Sequence, residues 1–140
     1  MRMDISTTEK GVKIINDAYN ANPVSMKAAL DVLKGCEGRK VAIIGDMFEL
    51  GEFAEKMHYE RGEYAIKSGI DELIFIGKTS CQMKKAAEDN GFENYCYYET
   101  QEDFLKEEID KFFDVNDTVL VKASRGMQLE KTVHKIQEVK

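Results

Sequence analysis

Three short segments concentrate the residue types that could do chemistry. The first, DAYNANP at residues 17–23, puts an aspartate directly after an apolar run, with two asparagines close behind it. A carboxylate there suits ribose hydroxyls or a cation, and Asn20 and Asn22 offer donors and acceptors to a polar ligand. The same residues also suit a plain strand-to-helix loop in which Asn22 caps the helix and Pro23 takes its first position. The second segment, GDMFELG at 45–51, frames Asp46 and Glu49 between two glycines. Gly45 fits a close backbone approach and Gly51 a positive φ. His58, further on, reads as a structural residue in a local hydrogen-bond network rather than as a ligand. The third is KASRG at 122–126, where Lys122 and Arg125 flank Ser124. Two cations, a hydroxyl and the amides of a helix start suit a carboxylate or a phosphate; a solvated basic turn is the competing reading. A fourth segment, Gly77-Lys78-Thr79, imitates the end of a P-loop. The motif needs a glycine five residues before Gly77, and Glu72 stands there. Thr79 or Ser80 is instead expected to cap a helix.

Placing these segments requires an alternation of strands and helices. Residues 12–15, 41–44, 73–76 and 119–121 are short, apolar and rich in β-branched types, as strands buried on both faces are. Residues 94–98 read as a weaker aromatic strand, and 2–6 as an edge strand that turns through Glu9-Lys10-Gly11. Met26, Ala29, Leu30 and Leu33 fall on one helical face. Residues 54–68 form a second helix ended by Gly69, and Met83, Ala86 and Ala87 mark a third, stopped by Asn90-Gly91. Phe104, Leu105, Ile109, Phe112 and Phe113 predict a fourth, with Thr100 and Asp103 as its capping box. Leu129, Val133 and Ile136 mark a last one. The fold class is therefore α/β: a Rossmann-like, doubly wound, mostly parallel sheet of about six strands with an antiparallel edge strand and helices on both faces. In such sheets ligands gather beyond the carboxyl ends of the strands, where all the segments above fall.

Bulk properties narrow the partners. The 140 residues suit one domain, residues 1–140, and 43% hydrophobic with 33% charged residues suits a folded globular chain. A net charge of −6 argues against a nucleic-acid partner. Cys36, Cys81 and Cys96 are scattered, without a CxxC pair, so neither zinc nor redox chemistry is expected and the metal-ligand set is empty. No signal peptide and no run of about 18 apolar residues is present, so no membrane is expected and the location reads as cytoplasmic.

Taken together, IINDAYNANPVSMKAAL (14–30), VAIIGDMFELGEFAEKMH (41–58) and VLVKASRGMQLEKTV (119–133) resemble the C-terminal domain of the Mur ligases. The Asn-Ala-Asn-Pro version resembles the branch that adds D-alanyl-D-alanine. The likeness runs along almost the whole chain, in the family's order and spacing. It implies an ATP-dependent ligase of three domains, of which this is the last; Met1 stands where the family has a glycine before its arginine. The UDP-sugar domain and the central ATPase domain, with its P-loop and magnesium, would lie elsewhere, so this piece is expected to bind rather than catalyse. The implied partners are UDP-N-acetylmuramoyl-tripeptide, D-alanyl-D-alanine and the central domain; the implied cofactors are ATP and Mg. By the same resemblance Arg2 reaches the γ-phosphate, Asp17 holds the ribose, and Asn20 and Asn22 line that face. Lys122, Ser124 and Arg125 receive the dipeptide carboxylate. Ala123 departs from the family's usual glycine and would strain the loop if that position needs a positive φ. Two other readings compete: a stand-alone nucleotide-binding module, and a receiver-like module with Asp46 as phospho-acceptor. The receiver reading needs two helices between its first acid and its acceptor, and only one is predicted between Asp17 and Asp46.

Overall fold

Alternation along the strands divides the apolar residues between two cores. Ile14, Val41, Ile43, Ile74, Ile76, Val119 and Val121 belong to one, and Ile15, Ala42, Ile44, Leu73, Phe75 and Leu120 to the other. Successive side chains of a strand point to opposite faces, so a continuous apolar run needs cover on both. The computed structural model describes residues 3–140 and supplies that cover. Six strands, β1 (Asp4–Thr7), β2 (Lys13–Asp17), β3 (Lys40–Gly45), β4 (Glu72–Ile76), β5 (Tyr95–Tyr98) and β6 (Thr118–Lys122), form one sheet in the order β1-β2-β6-β3-β4-β5. Only the β1–β2 pair is antiparallel. The expected mostly parallel sheet with an antiparallel edge is thus the observed one. Arg2, within the predicted edge strand, lies outside the described residues.

Helices α1 (Pro23–Lys34), α2 (Ala54–Lys67) and α3 (Cys81–Asp89) cover one face. A short α4 (Gln101–Leu105), a 3-10 turn at Ile109–Phe112 and α5 (Glu130–Gln137) cover the other. The stripe of α1 is fully buried at Met26, Ala29, Leu30 and Leu33. Each of its three larger side chains stabilises the fold by roughly 1.5–3 kcal/mol.

One element differs from expectation. The apolar spacing from Phe104 to Phe113 predicts a single helix, but the chain leaves α4, turns extended at Glu108 (φ −76°, ψ 91°) and resumes as the 3-10 turn. Phe104, Ile109 and Phe113 reach the same core from both sides of this break, so burial is met without a continuous helix. Thr100 Oγ1 accepts from the Asp103 amide at 3.2 Å, one half of the expected capping box.

Strand order then determines where a ligand can sit. β6 inserts between β2 and β3. The chain leaves β2 and β3 toward α1 and α2 on one face, and leaves β6 toward α5 on the other. Loops that part to opposite faces open a crevice at the carboxyl ends of these three strands.

Candidate functional site

The three chemistry-bearing segments meet in that crevice. Asp17 and Lys122 are register partners on β2 and β6, and Lys122 is in turn level with Ile44 on β3, just before Gly45. Asp17 and Ser124 therefore share one end of the sheet.

Ser124 ties all three loops together. Its amide donates to the Asp46 carbonyl at 3.0 Å. Its Oγ accepts from the Phe48 amide at 2.8 Å and donates to the Ala21 carbonyl at 3.3 Å. With donor and acceptor both used and 6% exposure, Ser124 builds the floor of the crevice.

Lys122, expected at a ligand carboxylate, points inward. Its side chain is 1% exposed, and Nζ donates to Asp17 Oδ2 at 2.7 Å and to the Asn20 carbonyl at 2.8 Å. A buried charge needs such a partner, because desolvation costs several kcal/mol per ion. Among the described residues no hydrogen bond engages Asp17 Oδ1. Asn22 is the expected N-cap: its Oδ1 accepts from the Ser25 amide at 2.9 Å, and Ser25 Oγ accepts from the Asn22 amide at 3.0 Å. Its side-chain acceptor is therefore committed to α1. The Asn20 side chain is exposed and free of hydrogen bonds among the described residues. The Arg125 guanidinium is likewise exposed, with no acidic partner among them.

The GDMFELG loop is held by groups the sequence hinted at less clearly. His58 is fully buried; its Nε2 accepts from the Met47 amide at 2.9 Å and Nδ1 donates to the Ala54 carbonyl at 2.7 Å. Burial pushes its pKa below the ordinary histidine value, against smaller opposing effects of the Ala54 hydrogen bond and the Asp46 charge. The neutral ring is thus a structural strut, as expected. Asp46 reaches sideways to α3: its Oδ1 accepts from the Ser80 amide at 2.8 Å and from Ser80 Oγ at 2.7 Å. Ser80 occupies the N-cap position of α3, but its own side chain caps nothing; the aspartate just after the neighbouring strand β3 supplies the acceptor. With Asp46 only 7% exposed and so engaged, the receiver-like reading has no accessible phospho-acceptor. Gly51 adopts the positive φ expected of it, 57°, and Glu49 does the same without being glycine, at 64°. Gly45 gives the expected close approach: a Cβ there would come 2.7 Å from Ala123 Cβ. Ala123 is not among the residues with positive φ, so it fills this gap without strain.

What remains open is a cleft of about 420 Å³ whose walls include Asn20, Asn22, Phe48, Glu49, Ser124 and Arg125. Beside it lies a second, of about 410 Å³, reaching Lys78, Thr79, Thr100 and Gln101. Phe48, 44% exposed, partitions the two; its ring lies over Gly126, where a Cβ would meet Cε2 at 2.6 Å. Sequence reasoning missed this partition, the Asp17–Lys122 pair and the reach of Asp46 to α3. An acid and a lysine at two strand ends were a signal for the pair, but only the strand order makes them neighbours. Concavities of about 660 and 650 Å³ also lie at the opposite end of the sheet and beside β5, away from all three segments.

Among the described residues no three His, Cys, Asp or Glu side chains converge on a possible metal site. None of their helices is long and apolar enough to cross a membrane.

Comparison with known proteins gives a consistent result. The family model for the Mur ligase glutamate ligase domain matches residues 1–125. The UDP-N-acetylmuramoyl-tripeptide--D-alanyl-D-alanine ligase of Bacillus subtilis is 36% identical over 140 residues, covering 99% of this chain and 31% of the relative. The enzyme of the same name from Escherichia coli is 36% identical over 126 residues, covering 89% and 27%. This chain thus spans under a third of the length of these relatives. Among solved structures, MurF from Acinetobacter baumannii superposes with a TM-score of 0.85 at 26% identity, over 97% of this chain and 30% of that one. MurF ligase from Thermotoga maritima, in complex with ADP, gives 0.81 over 96% and 30%; at 24% identity this likeness speaks for the fold.

Proposed function

The chain belongs to the Mur ligase family, and we propose that it is the C-terminal domain of an ATP-dependent ligase that joins D-alanyl-D-alanine to UDP-N-acetylmuramoyl-tripeptide. The product would be a peptidoglycan precursor, made in the cytoplasm. The observation that carries this reading is the charge pattern of the 420 Å³ cleft: an exposed Arg125 without an acidic partner among the described residues, and an exposed Glu49 in the same wall. A dipeptide zwitterion presents the complementary pair, a carboxylate for the guanidinium and an amine for the carboxylate. Arginine suits a carboxylate because its planar fork donates two parallel hydrogen bonds.

In the family reaction ATP supplies the phosphoryl group that activates the tripeptide carboxylate toward the dipeptide amine. This chain contributes binding and orientation. Asp17 is buried at 2% exposure with Oδ2 taken by Lys122, and its Oδ1, unbonded among the described residues, is the atom proposed for a ribose hydroxyl. The exposed Asn20 amide borders the same face and offers both a donor and an acceptor. Asn22 contributes by holding α1 and the loop in place rather than with a free side chain. Arg2 is proposed for the γ-phosphate on resemblance alone. Holding the dipeptide amine against an activated carboxylate is worth several kcal/mol of barrier, provided the geometry is kept. No seat for magnesium is assigned to this chain; that ion belongs to the proposed central domain.

Arg125→Ala in the ligase that carries this domain tests the reading. Loss of a charge-assisted bond of about 1.5–3 kcal/mol raises the KM for D-alanyl-D-alanine roughly tenfold to a hundredfold. The KM for ATP stays within about twofold. An unchanged dipeptide KM removes Arg125, and with it this reading of the cleft.

A further inference from the structure

Lys122 has the wrong surroundings for a ligand-binding cation. Its ammonium is inside the protein, at 1% side-chain exposure, and two of its donors are already used. Those two bonds have a particular geometry. One goes to the Asp17 carboxylate at the end of β2; the other goes three residues on, to the Asn20 main-chain carbonyl. Lys122 joins two points of this loop at once, whereas Asn16 Oδ1 holds the Ala18 amide alone, at 3.2 Å. Ser124 holds Ala21, and Ser25 holds Asn22. The exposed Asn20 side chain has no bond of its own among the described residues, so its direction is set through its backbone, and its carbonyl is fixed by Lys122.

We propose that Lys122 is a positioning residue for the nucleotide side of the cleft, and not a direct ligand of the dipeptide carboxylate. It holds the buried Asp17 by Oδ2, leaving Oδ1 without a hydrogen bond among the described residues, and it holds Asn20 by its carbonyl, at the height where the Asn20 amide meets the same ligand. This rests on the proposed ligase reading for the identity of the ligands, but the bracing of the loop does not.

The test is an NMR study of this chain with ADP and D-alanyl-D-alanine as probes, in the wild type, Lys122→Met and Arg125→Ala. Backbone order is measured at Asn20 and Ala21, with Ile14 and Val121 as core references. The double variant Asp17→Asn/Lys122→Met removes both charges, and it serves for the order measurement if a lone buried carboxylate prevents folding. Lys122→Met is expected to lower order at Asn20 and Ala21 while the core references stay fixed. It weakens ADP about tenfold and leaves D-alanyl-D-alanine within about twofold, while Arg125→Ala does the reverse. Unchanged order at Asn20 and Ala21 overturns the proposal. So does a loss of dipeptide affinity in Lys122→Met equal to that in Arg125→Ala. If neither probe shifts any wild-type amide, the ligase reading fails, and the order measurement still decides the bracing role.

Discussion

Replacing Asp46 by alanine strands two donors at once. The Asp46 carboxylate is 7% exposed, and its Oδ1 accepts from the Ser80 amide at 2.8 Å and from Ser80 Oγ at 2.7 Å. Ser80 is itself fully buried, so water cannot readily replace the lost acceptor. A hydrogen bond to a charged group contributes about 1.5–3 kcal/mol net, and an orphaned buried donor costs about 1–3 kcal/mol. The two bonds share one acceptor and are not additive, which puts Asp46→Ala at about 3 kcal/mol. For a urea m-value of about 2 kcal/mol/M the midpoint falls by about 1.5 M. Asp46→Asn keeps an acceptor at the Oδ1 position. Its amide group then faces the Thr79 amide, where Oδ2 now accepts weakly at 3.4 Å. That mismatch costs about 1 kcal/mol. Urea titrations followed by far-ultraviolet circular dichroism, with m compared between variants, separate the two substitutions. Equal midpoints for alanine and asparagine, or an alanine cost below about 1 kcal/mol, would refute the idea that Asp46 caps α3 from the loop after β3.

Two further outcomes follow from the same loops. His58 is buried neutral with a depressed pKa, so as pH falls below about 6.5 the unfolded chain takes up a proton that the folded one refuses. Stability therefore declines from about pH 6.5 down through the folded pKa, and His58→Gln, less stable at neutral pH, loses that slope; an identical slope in the variant would assign it to other groups. Gly45→Ala brings a Cβ to 2.7 Å from Ala123 Cβ and costs about 1–3 kcal/mol by overpacking. Adding Ala123→Gly restores most of that, and a double-mutant cycle with no coupling would place the strain elsewhere.

The sheet was legible because its signals are local. Val41 to Ile44 is an unbroken apolar run, which only burial on both faces explains, and Asn22-Pro23 marks the start of α1 without reference to anything distant. The fourth helix was not, because its apolar spacing is equally served by two short turns whose phenylalanines converge on one core. The site was legible as a set of segments and not as a set of roles. DAYNANP and KASRG are recognisable one at a time, but whether Lys122 faces a ligand or Asp17 depends on β6 lying beside β2. Nothing within either segment specifies that neighbour, since the return of the chain from β5 into the middle of the sheet is a property of the whole topology.

This difference bears on how a polar motif at a sheet's ligand end should be read. Such an end must satisfy its own buried groups before it can offer any to a ligand, because each unpaired one costs about as much as a hydrogen bond contributes. Here Ser124, Lys122, Asn22, Asp46 and His58 are used in that way: they bind three loops to one another and to three helices, α1, α2 and α3. Among the described residues the groups left over are the exposed Asn20 amide, Arg125 guanidinium and Glu49 carboxylate, together with one oxygen of the buried Asp17. The internal set explains why the loops can hold Glu49 at a φ of 64° and an aromatic ring over Gly126, both of which need a fixed backbone. The external set determines which ligands fit. Mutations in the first set should therefore be felt in stability and in both ligands together, except where a residue such as Lys122 braces only one side, and mutations in the second should separate the ligands while leaving the fold unchanged.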